Sequence, residues 1–427
     1  MRIEYFLFRF IVQPDAGKCS NCEAKRSTLL PSVGLVHQMT GKSTRAIHGH
    51  GYYDKTLGVF KLPIYQTVVF EHPEEGGVPR KGDRGFDLKY SREENPTVRG
   101  LERTIAELEE APYSLAFSNG MSGISTLYLS SLQSGDTVLI GKESYGVTQE
   151  LALDLSRFGI KTIFGGPETD ALIERIDRNV RMVVVETMTN PLLRVLDINR
   201  IARRCKETGS RLVVDGTFTT PLLYRPLKNG AWVSLHSTTK YLSGHNDSLG
   251  GVVSINSEDD LQELWSMRRK VGSIITPFEA FLCIRGLATL EARFEAQSRT
   301  ALKLANFLSS HPRIKEVFYP GLKGSPYRKV ADRLFERRIY GGVLSFKVKG
   351  GQKKVMDVMK KTKVIKPAPS LGGVESLLTY PLLGPAMTMS EKLRQELGID
   401  ESLMRLSVGL EDEKDLEADL DAALRSS

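Results

Sequence analysis

The stretch "RMVVVETMTNPLLRVLDINRIARRCKETGSRLVVDGT" occupies residues 181–217. It opens on a β-branched apolar run that closes on Glu186 and ends on a second such run that closes on Asp215. Between them, "DINRIARRCKETGS" starts at an Asp suited to cap a helix and stops at a Gly suited to end one. Strand, helix, strand in this order predicts a βαβ unit with parallel strands.

The same alternation extends to both sides. "SLAFS" (114–118), "TVLIG" (137–141), "KTIFG" (161–165), "WVSLH" (232–236) and "GGVVSI" (250–255) read as further strands. "TVRGLERTIAELEEA" places Val98, Leu101, Ile105 and Leu108 on one helical face, and "NGMSGISTLYLSSL" begins with a possible cap at Asn119. The fold class is therefore α/β, with a mostly parallel sheet covered on both faces. A helical zone from Pro277 to about Ser309 follows. The connection "HPRIKEVFYPGL", the strand-like "GGVLSFKVKG" (341–350) and "RLSVG" (405–409), and an acidic helix with Leu416, Leu420 and Leu424 in one stripe complete the series. These last pieces predict a smaller C-terminal α+β domain. The chain divides into an extension (1–38), an arm (39–96), a large domain (97–290) and a C-terminal domain (291–427).

In open α/β sheets, ligands bind beyond the carboxyl ends of the strands. Those ends read Ser118-Asn119-Gly120, Glu186, Asp215 and His236-Ser237. "HSTTKYLSGHND" (236–247) then sets Lys240 directly after hydroxyl residues. A lysine at a pocket rim can form a Schiff base with a carbonyl, and pyridoxal phosphate is a common partner of such a lysine. That cofactor needs a carboxylate for its ring nitrogen, which suits Asp215. It needs helix N–H groups and hydroxyls for its phosphate, which suits Gly120, Met121, Ser237 and Thr239. It needs an aromatic neighbour, which suits Tyr145, and the substrate carboxylate needs an arginine. Each residue also has a plain reading as cap, rim or surface residue; their joint occurrence carries the argument.

From "STRAIHGH" (43–50) onward, the chain resembles the Cys/Met-metabolism family of pyridoxal phosphate enzymes. "LPIYQTVVF", "YSREENPT", "AFSNGMSGIS", "ETMTNPLLRVLDI", "VVDGTFTTPLL", "PFEAFLCIRGLATL", "SLGGVESL" and "RLSVGLED" carry the resemblance in order. It implies the fold type I, aspartate aminotransferase-like architecture. It also implies γ-replacement or γ-elimination on homoserine-derived amino acids, of cystathionine γ-synthase or γ-lyase type. By the same resemblance, Lys240 is the cofactor-linking and proton-moving lysine, Asp215 the ring-nitrogen partner with Thr217 beside it, and Asn190 the neighbour of the ring oxygen. Gly120, Met121, Ser237 and Thr239 form the phosphate cradle. Tyr145 stacks and assists the leaving group, while Ser370 and Arg405 meet the substrate. Tyr90 and Arg92 reach the phosphate of a neighbouring subunit, which implies a dimer with shared sites and a homotetramer built from two. Glu186 matches a strand-end position and reads equally as a direct participant or as support.

Three departures from the family pattern bear on substrate. Val147 stands where methionine γ-lyases carry a Cys, Pro369 where cystathionine enzymes carry a Glu, and "YPLLGPAMTM" (380–389) replaces a familiar entrance segment. Two more, Gly216 for an Asn and Thr238 for an Ala, should not remove cofactor binding. O-acylhomoserine sulfhydrylation is the alternative reaction. A non-catalytic binding protein on the same fold is the alternative of another class, against which Lys240 and Asp215 both weigh.

Composition narrows the remaining classes. The 427 residues exceed one ordinary core, and 59 Lys+Arg against 51 Asp+Glu leave a net charge of +8 that is spread along the chain. A nucleic-acid footprint should be concentrated, so no nucleic-acid partner is expected. No apolar run approaches the roughly 20 residues of a membrane span, so no membrane association is expected. Cys19 and Cys22 in "CSNC" form half a zinc-ribbon pattern with no second half, so no metal is expected. Four cysteines suit a reducing compartment, and the expected location is the cytoplasm.

Overall fold

A computed structural model describes residues 41–71, 88–387 and 389–425. The Cys19–Cys22 pair and the 1–38 extension lie outside them. Seven strands form the larger sheet: β1 Tyr113–Phe117, β2 Thr137–Gly141, β3 Lys161–Gly165, β4 Val180–Glu186, β5 Arg211–Asp215, β6 Val233–Ser237 and β7 Gly251–Ile255. Their spatial order is β1-β7-β6-β5-β4-β2-β3. Only β7 runs against its neighbours, and every other adjacent pair is parallel.

Alternation along each strand separates two apolar layers. Val183, Val185, Leu212 and Val214 face one layer with Leu101, Ile105 and Ile201. Met182, Val184, Val213 and Leu235 face the other with Ile124, Leu127 and Tyr128. Burial on both faces explains why these strands read as continuous apolar runs. In the opening segment, the helix Ile198–Thr208 is capped by the Asp197 side chain and ends at Gly209, whose φ is 80°. It buries Ile198, Ile201, Ala202 and Cys205. The return into β5 is therefore short, and Glu186 pairs in register with Asp215.

A second sheet, ordered β10-β11-β12-β9-β8, lies in the C-terminal part. Its strands are β8 Ile314–Phe318, β9 Val343–Val348, β10 Lys366–Pro367, β11 Leu377–Thr379 and β12 Leu403–Ser407. The segment read as the "HPRIKEVFYPGL" connection contains β8. Only one side of this edge strand is paired, so its apolar signal is weak. The last strand begins two residues earlier than "RLSVG", because Leu403 and Met404 pair with Lys347 and Phe346. The helical zone is two helices, Pro277–Leu287 and Leu290–Ser310. Gly286 lets the first approach the backbone carbonyl of Ser243, since an added Cβ would lie 2.1 Å from that oxygen. The stripe Leu416, Leu420 and Leu424 is fully buried in the closing helix. No helix among the described residues is long and apolar enough to cross a membrane.

Candidate active site

A cavity of about 540 Å³ opens beyond the carboxyl ends of β4, β5 and β6, against the loops that lead into β11 and β12. Its wall includes Gly120, Met121, Tyr145, Asn190, Asp215, Thr217, Ser237, Thr239, Lys240, Ser370 and Arg405. The structure thus gathers eleven of the thirteen residues singled out from sequence. Tyr90 and Arg92 are the two it leaves elsewhere. Both are exposed, with the Arg92 guanidinium 5.5 Å from the Tyr90 ring and donating to the Arg269 carbonyl at 2.7 Å.

Lys240 sits in the turn after β6. Burial, and then the Arg405 cation, pull its amine down to about 8 from the ordinary lysine value. Its Nζ donates to Ser370 Oγ at 2.8 Å. Ser370 has φ of 93°, a conformation that a side chain disfavours. The strain is held from two sides, because the Ser370 carbonyl also accepts from Arg405 Nη2 at 2.7 Å. Arg405 Nη1 donates to Asn190 Oδ1 at 2.8 Å, and Nη2 also meets Thr379 Oγ1 at 3.2 Å. The guanidinium is buried among neutral acceptors, with its Nε unpartnered. Burial lowers it to about 10. A buried cation bonded only to neutral groups is suited to a ligand carboxylate.

Two carboxyls stand side by side on the opposite wall. Asp215 accepts from Thr217 N–H at 2.8 Å, and Thr217 Oγ1 accepts from Ser237 N–H at 2.9 Å. Glu186 Oε1 accepts from Tyr145 N–H at 2.7 Å, while its Oε2 is buried without a partner. Burial raises both carboxyls, and the Asp215 charge pushes Glu186 up further. The Thr217 bonds and the nearby His236 work the other way on Asp215. The balance of these effects raises Glu186 more strongly than Asp215, so the anion is better supported on Asp215 than on Glu186. Glu186 supports the site by fixing the backbone of Tyr145, the cap residue of the helix Gly146–Asp154.

The third wall is the N-terminus of the helix Gly120–Ser131. Asn119 and Ser122 form a reciprocal capping box there, leaving the N–H groups of Gly120 and Met121 at the cavity. Gly120 is packed against Ser237, 3.2 Å from where a Cβ would stand. Gly251 has no room for one, since it would lie 2.3 Å from the Asn119 carbonyl. These contacts pin the helix start beside the Ser237 and Thr239 hydroxyls. Thr238, between them, is buried against Gly250 and is not part of the wall.

Sequence reading missed several cavity residues. Leu249 lines the cavity and Thr379 braces Arg405 from β11, whereas Pro385 and Met387, also in the wall, belong to the 380–389 segment already marked as a departure near the entrance. Leu249 had a usable signal, as an apolar residue in the polar loop that follows Lys240. The others depend on how the C-terminal segment folds back over the sheet. No group of three or more His, Cys, Asp or Glu side chains suited to a metal occurs among the described residues.

A lysine with a lowered pKa, a strand-end carboxylate and a helix N-terminus with hydroxyls around one cavity define a pyridoxal phosphate site on an α/β fold. Asp215 is a buried strand-end carboxylate that accepts from Thr217 and has no ion-pair partner among the described residues, a chemistry that suits a protonated ring nitrogen, so the residues fit that group. The chain belongs to the Cys/Met metabolism PLP-dependent enzyme family, whose pattern matches residues 43–425. It is 38% identical to a cystathionine gamma-synthase of Mycobacterium tuberculosis, over 91% of this chain and 98% of that one. It is 37% identical to a cystathionine gamma-lyase of Dictyostelium discoideum, over 89% and 97% respectively. Among solved structures, cystathionine gamma synthase of Xanthomonas oryzae pv. oryzae, in complex with aminoacrylate and cysteine, superposes with a TM-score of 0.84. The identity there is 33%, over 91% of this chain and 98% of that one. The protein is thus a PLP-dependent enzyme with a mixed, mostly parallel central sheet and a smaller C-terminal domain, the fold type I arrangement.

Proposed function

We propose that the enzyme carries out γ-replacement or γ-elimination on homoserine-derived amino acids, as cystathionine γ-synthases and γ-lyases do. The supporting observation is the Lys240–Ser370–Arg405 chain. It sets a base with a lowered pKa next to a carboxylate-binding guanidinium, across the cavity from Asp215.

When bound, pyridoxal phosphate supplies an electron sink for the substrate's Cα–H bond. The N–H groups of Gly120 and Met121 and the hydroxyls of Ser237 and Thr239 would hold its phosphate. Asp215, steadied by Thr217, would favour a protonated ring nitrogen, and Asn190 and Tyr145 would be its remaining neighbours in the cavity wall. Arg405, with Ser370 behind it, takes the substrate carboxylate and aims the Cα–H bond at Lys240. The neutral amine of Lys240 removes that proton and returns it at a neighbouring carbon. The Tyr145 hydroxyl supplies a proton to the departing γ-group.

In this reading the arm within 39–96 reaches the site of a neighbouring subunit, next to a cofactor domain (97–290) and a substrate-side domain (291–427). The arm starts on its own subunit, where Lys42 Nζ donates to the Pro221 and Leu222 carbonyls. Beyond it, Leu57, Phe60, Val69 and Tyr90 are exposed. Exposed apolar side chains in this arm, together with Arg92 beside Tyr90, support a dimer with shared sites. The assembly proposed is a homotetramer of two such dimers, in the cytoplasm, acting on small amino acids.

The test is a product assay on the holoenzyme. Cystathionine, methionine and the O-acetyl-, O-succinyl- and O-phospho-esters of homoserine are supplied, with cysteine or sulfide as acceptor. Thioether product, or 2-oxobutanoate with ammonia, is the expected result. A cofactor-loaded protein that turns over none of these substrates would sink the reading.

A further inference from the structure

On the far side of the large sheet from the cavity lies a buried pair that the proposed chemistry does not use. Glu109 closes the helix Pro96–Glu109, and His236 is the next-to-last residue of β6. Both side chains are fully buried. Glu109 Oε1 is hydrogen-bonded to His236 Nε2 and accepts from the Ser234 hydroxyl at 2.9 Å. Glu109 Oε2 is buried without a partner. The next residue, Glu110, takes the nearby Arg225 and Lys228 instead. A carboxylate at this depth has lost its water and ionises only beside a cation. His236 is the group placed to supply one.

The same imidazole touches the strand end that bears Asp215. Gly216 follows Asp215, and an added Cβ there would lie 2.6 Å from His236 Cε1 and 3.2 Å from Nδ1. The ring thus meets Glu109 through Nε2 and packs against the residue between Asp215 and Thr217. Leu235 lines the cavity, and His236, one residue on, turns to the other face of the sheet. Neither member of the pair can touch a ligand in the cavity. Burial raises the Asp215 carboxyl, while its Thr217 bonds and a charge on His236 lower it.

We propose that Glu109 and His236 form a buried ion pair whose imidazolium holds Asp215 as the anion and so keeps the cofactor's ring nitrogen protonated; the proposal rests on Asp215 being the partner of that nitrogen. Both are positioning residues. Glu109 keeps a proton on the imidazole, the imidazolium disfavours one on Asp215, and the anion of Asp215 holds one on the ring.

The test is solid-state nitrogen-15 NMR, at neutral pH, of the holoenzyme loaded with pyridoxal phosphate labelled at the ring nitrogen. The wild type should show a protonated ring. His236→Gln keeps a donor towards Glu109 but carries no charge, so the signal should move towards the unprotonated position as the proton passes to Asp215. The kcat should fall by about tenfold, the lower end of what an opposite charge near a carboxylate is worth. The KM for the amino acid should change little, because Arg405 is untouched. Glu109→Gln should act in the same direction, since an imidazole without its carboxylate stays neutral at this depth. It also covers the case in which His236→Gln does not fold. The double variant should be no worse than either single one, because each change alone discharges the pair.

An unmoved ring signal in folded, cofactor-loaded variants would mean that the pair only packs, and would overturn the proposal while leaving Asp215 in its role. Asp215→Asn tests that role separately, and should lose the protonated signal with the pair intact. A ring that stays protonated in Asp215→Asn would remove Asp215 as the partner of the ring nitrogen, and the proposal with it.

Discussion

At the floor of the cavity, Lys240, Ser370, Arg405 and Asn190 form one hydrogen-bonded chain, and on the facing wall Tyr145 donates to Glu186 and Thr217 to Asp215. At the mouth, Val147, Leu249, Pro369 and Met387 offer no side-chain polar atom. The floor holds its geometry through directional bonds that span strands and loops from both sheets. The side chains of Val147, Leu249, Pro369 and Met387 offer shape and apolar surface. The part that handles the cofactor and the amino-acid head is therefore over-determined, and the part that meets the rest of the substrate is free to differ between relatives.

The largest effect should come from breaking the floor at its centre. Lys240→Ala removes the base, and turnover should fall by about 10²–10⁴-fold or more. Cofactor absorbance should lose its lysine-dependent band while the phosphate cradle still retains the cofactor. Turnover near wild type would mean that another group moves the Cα proton. Arg405→Gln comes next. Losing a charged hydrogen-bond partner should lower kcat/KM for the amino acid by about 10–100-fold, mainly through KM. Preference among thiol acceptors should survive, because the mouth is untouched. A matching change in thiol preference would merge the two regions into one.

The pH profile sharpens the floor further. With Lys240 at about 8, its amine is a cation below that pH and a free base above it. Uptake of pyridoxal phosphate by the apoprotein should rise as pH increases through 8. Arg405→Gln removes a neighbouring cation, so the lysine cation is less disfavoured and the midpoint should move to higher pH. A midpoint that stays in place, followed by absorbance, would assign the whole shift to burial.

How much of this was legible in the sequence follows the same division. Strands such as Thr137–Gly141 and Arg211–Asp215 were readable because burial on both faces leaves an unbroken apolar run. Lys240, Asp215 and Gly120 were readable because strand ends and helix starts carry local signals. β8 was missed because an edge strand alternates weakly, and Thr379 because its role depends on pairing with Arg405 across β11 and β12. Pro369 was visible as an oddity, yet its partners Leu249 and Met387 are more than a hundred residues apart in the chain. Only folding makes them one surface.

The smallest effect expected tests which carboxyl on the floor holds the proton. Glu186 and Asp215 end adjacent strands in register, so simple Coulomb repulsion forbids two charges there at little cost. Asp215 has two bonds from Thr217 and His236 nearby to favour its anion. Glu186 has one N–H bond, a buried free oxygen and two carboxyl neighbours, Asp215 and Glu143, that disfavour its anion. A neutral Glu186 is closely mimicked by Gln, which still accepts from Tyr145 N–H. Glu186→Gln should therefore change kcat/KM by about twofold or less, as one neutral hydrogen bond worth ~1 kcal/mol replaces another. Glu186→Leu leaves the Tyr145 N–H unpaired and should cost about tenfold, through a Tyr145 that no longer holds its place over the cavity. A Gln variant as impaired as the Leu variant would show that Glu186 carries charge. The proton would then belong to Asp215, and the floor would lose the anion that its hydrogen bonds are arranged to keep.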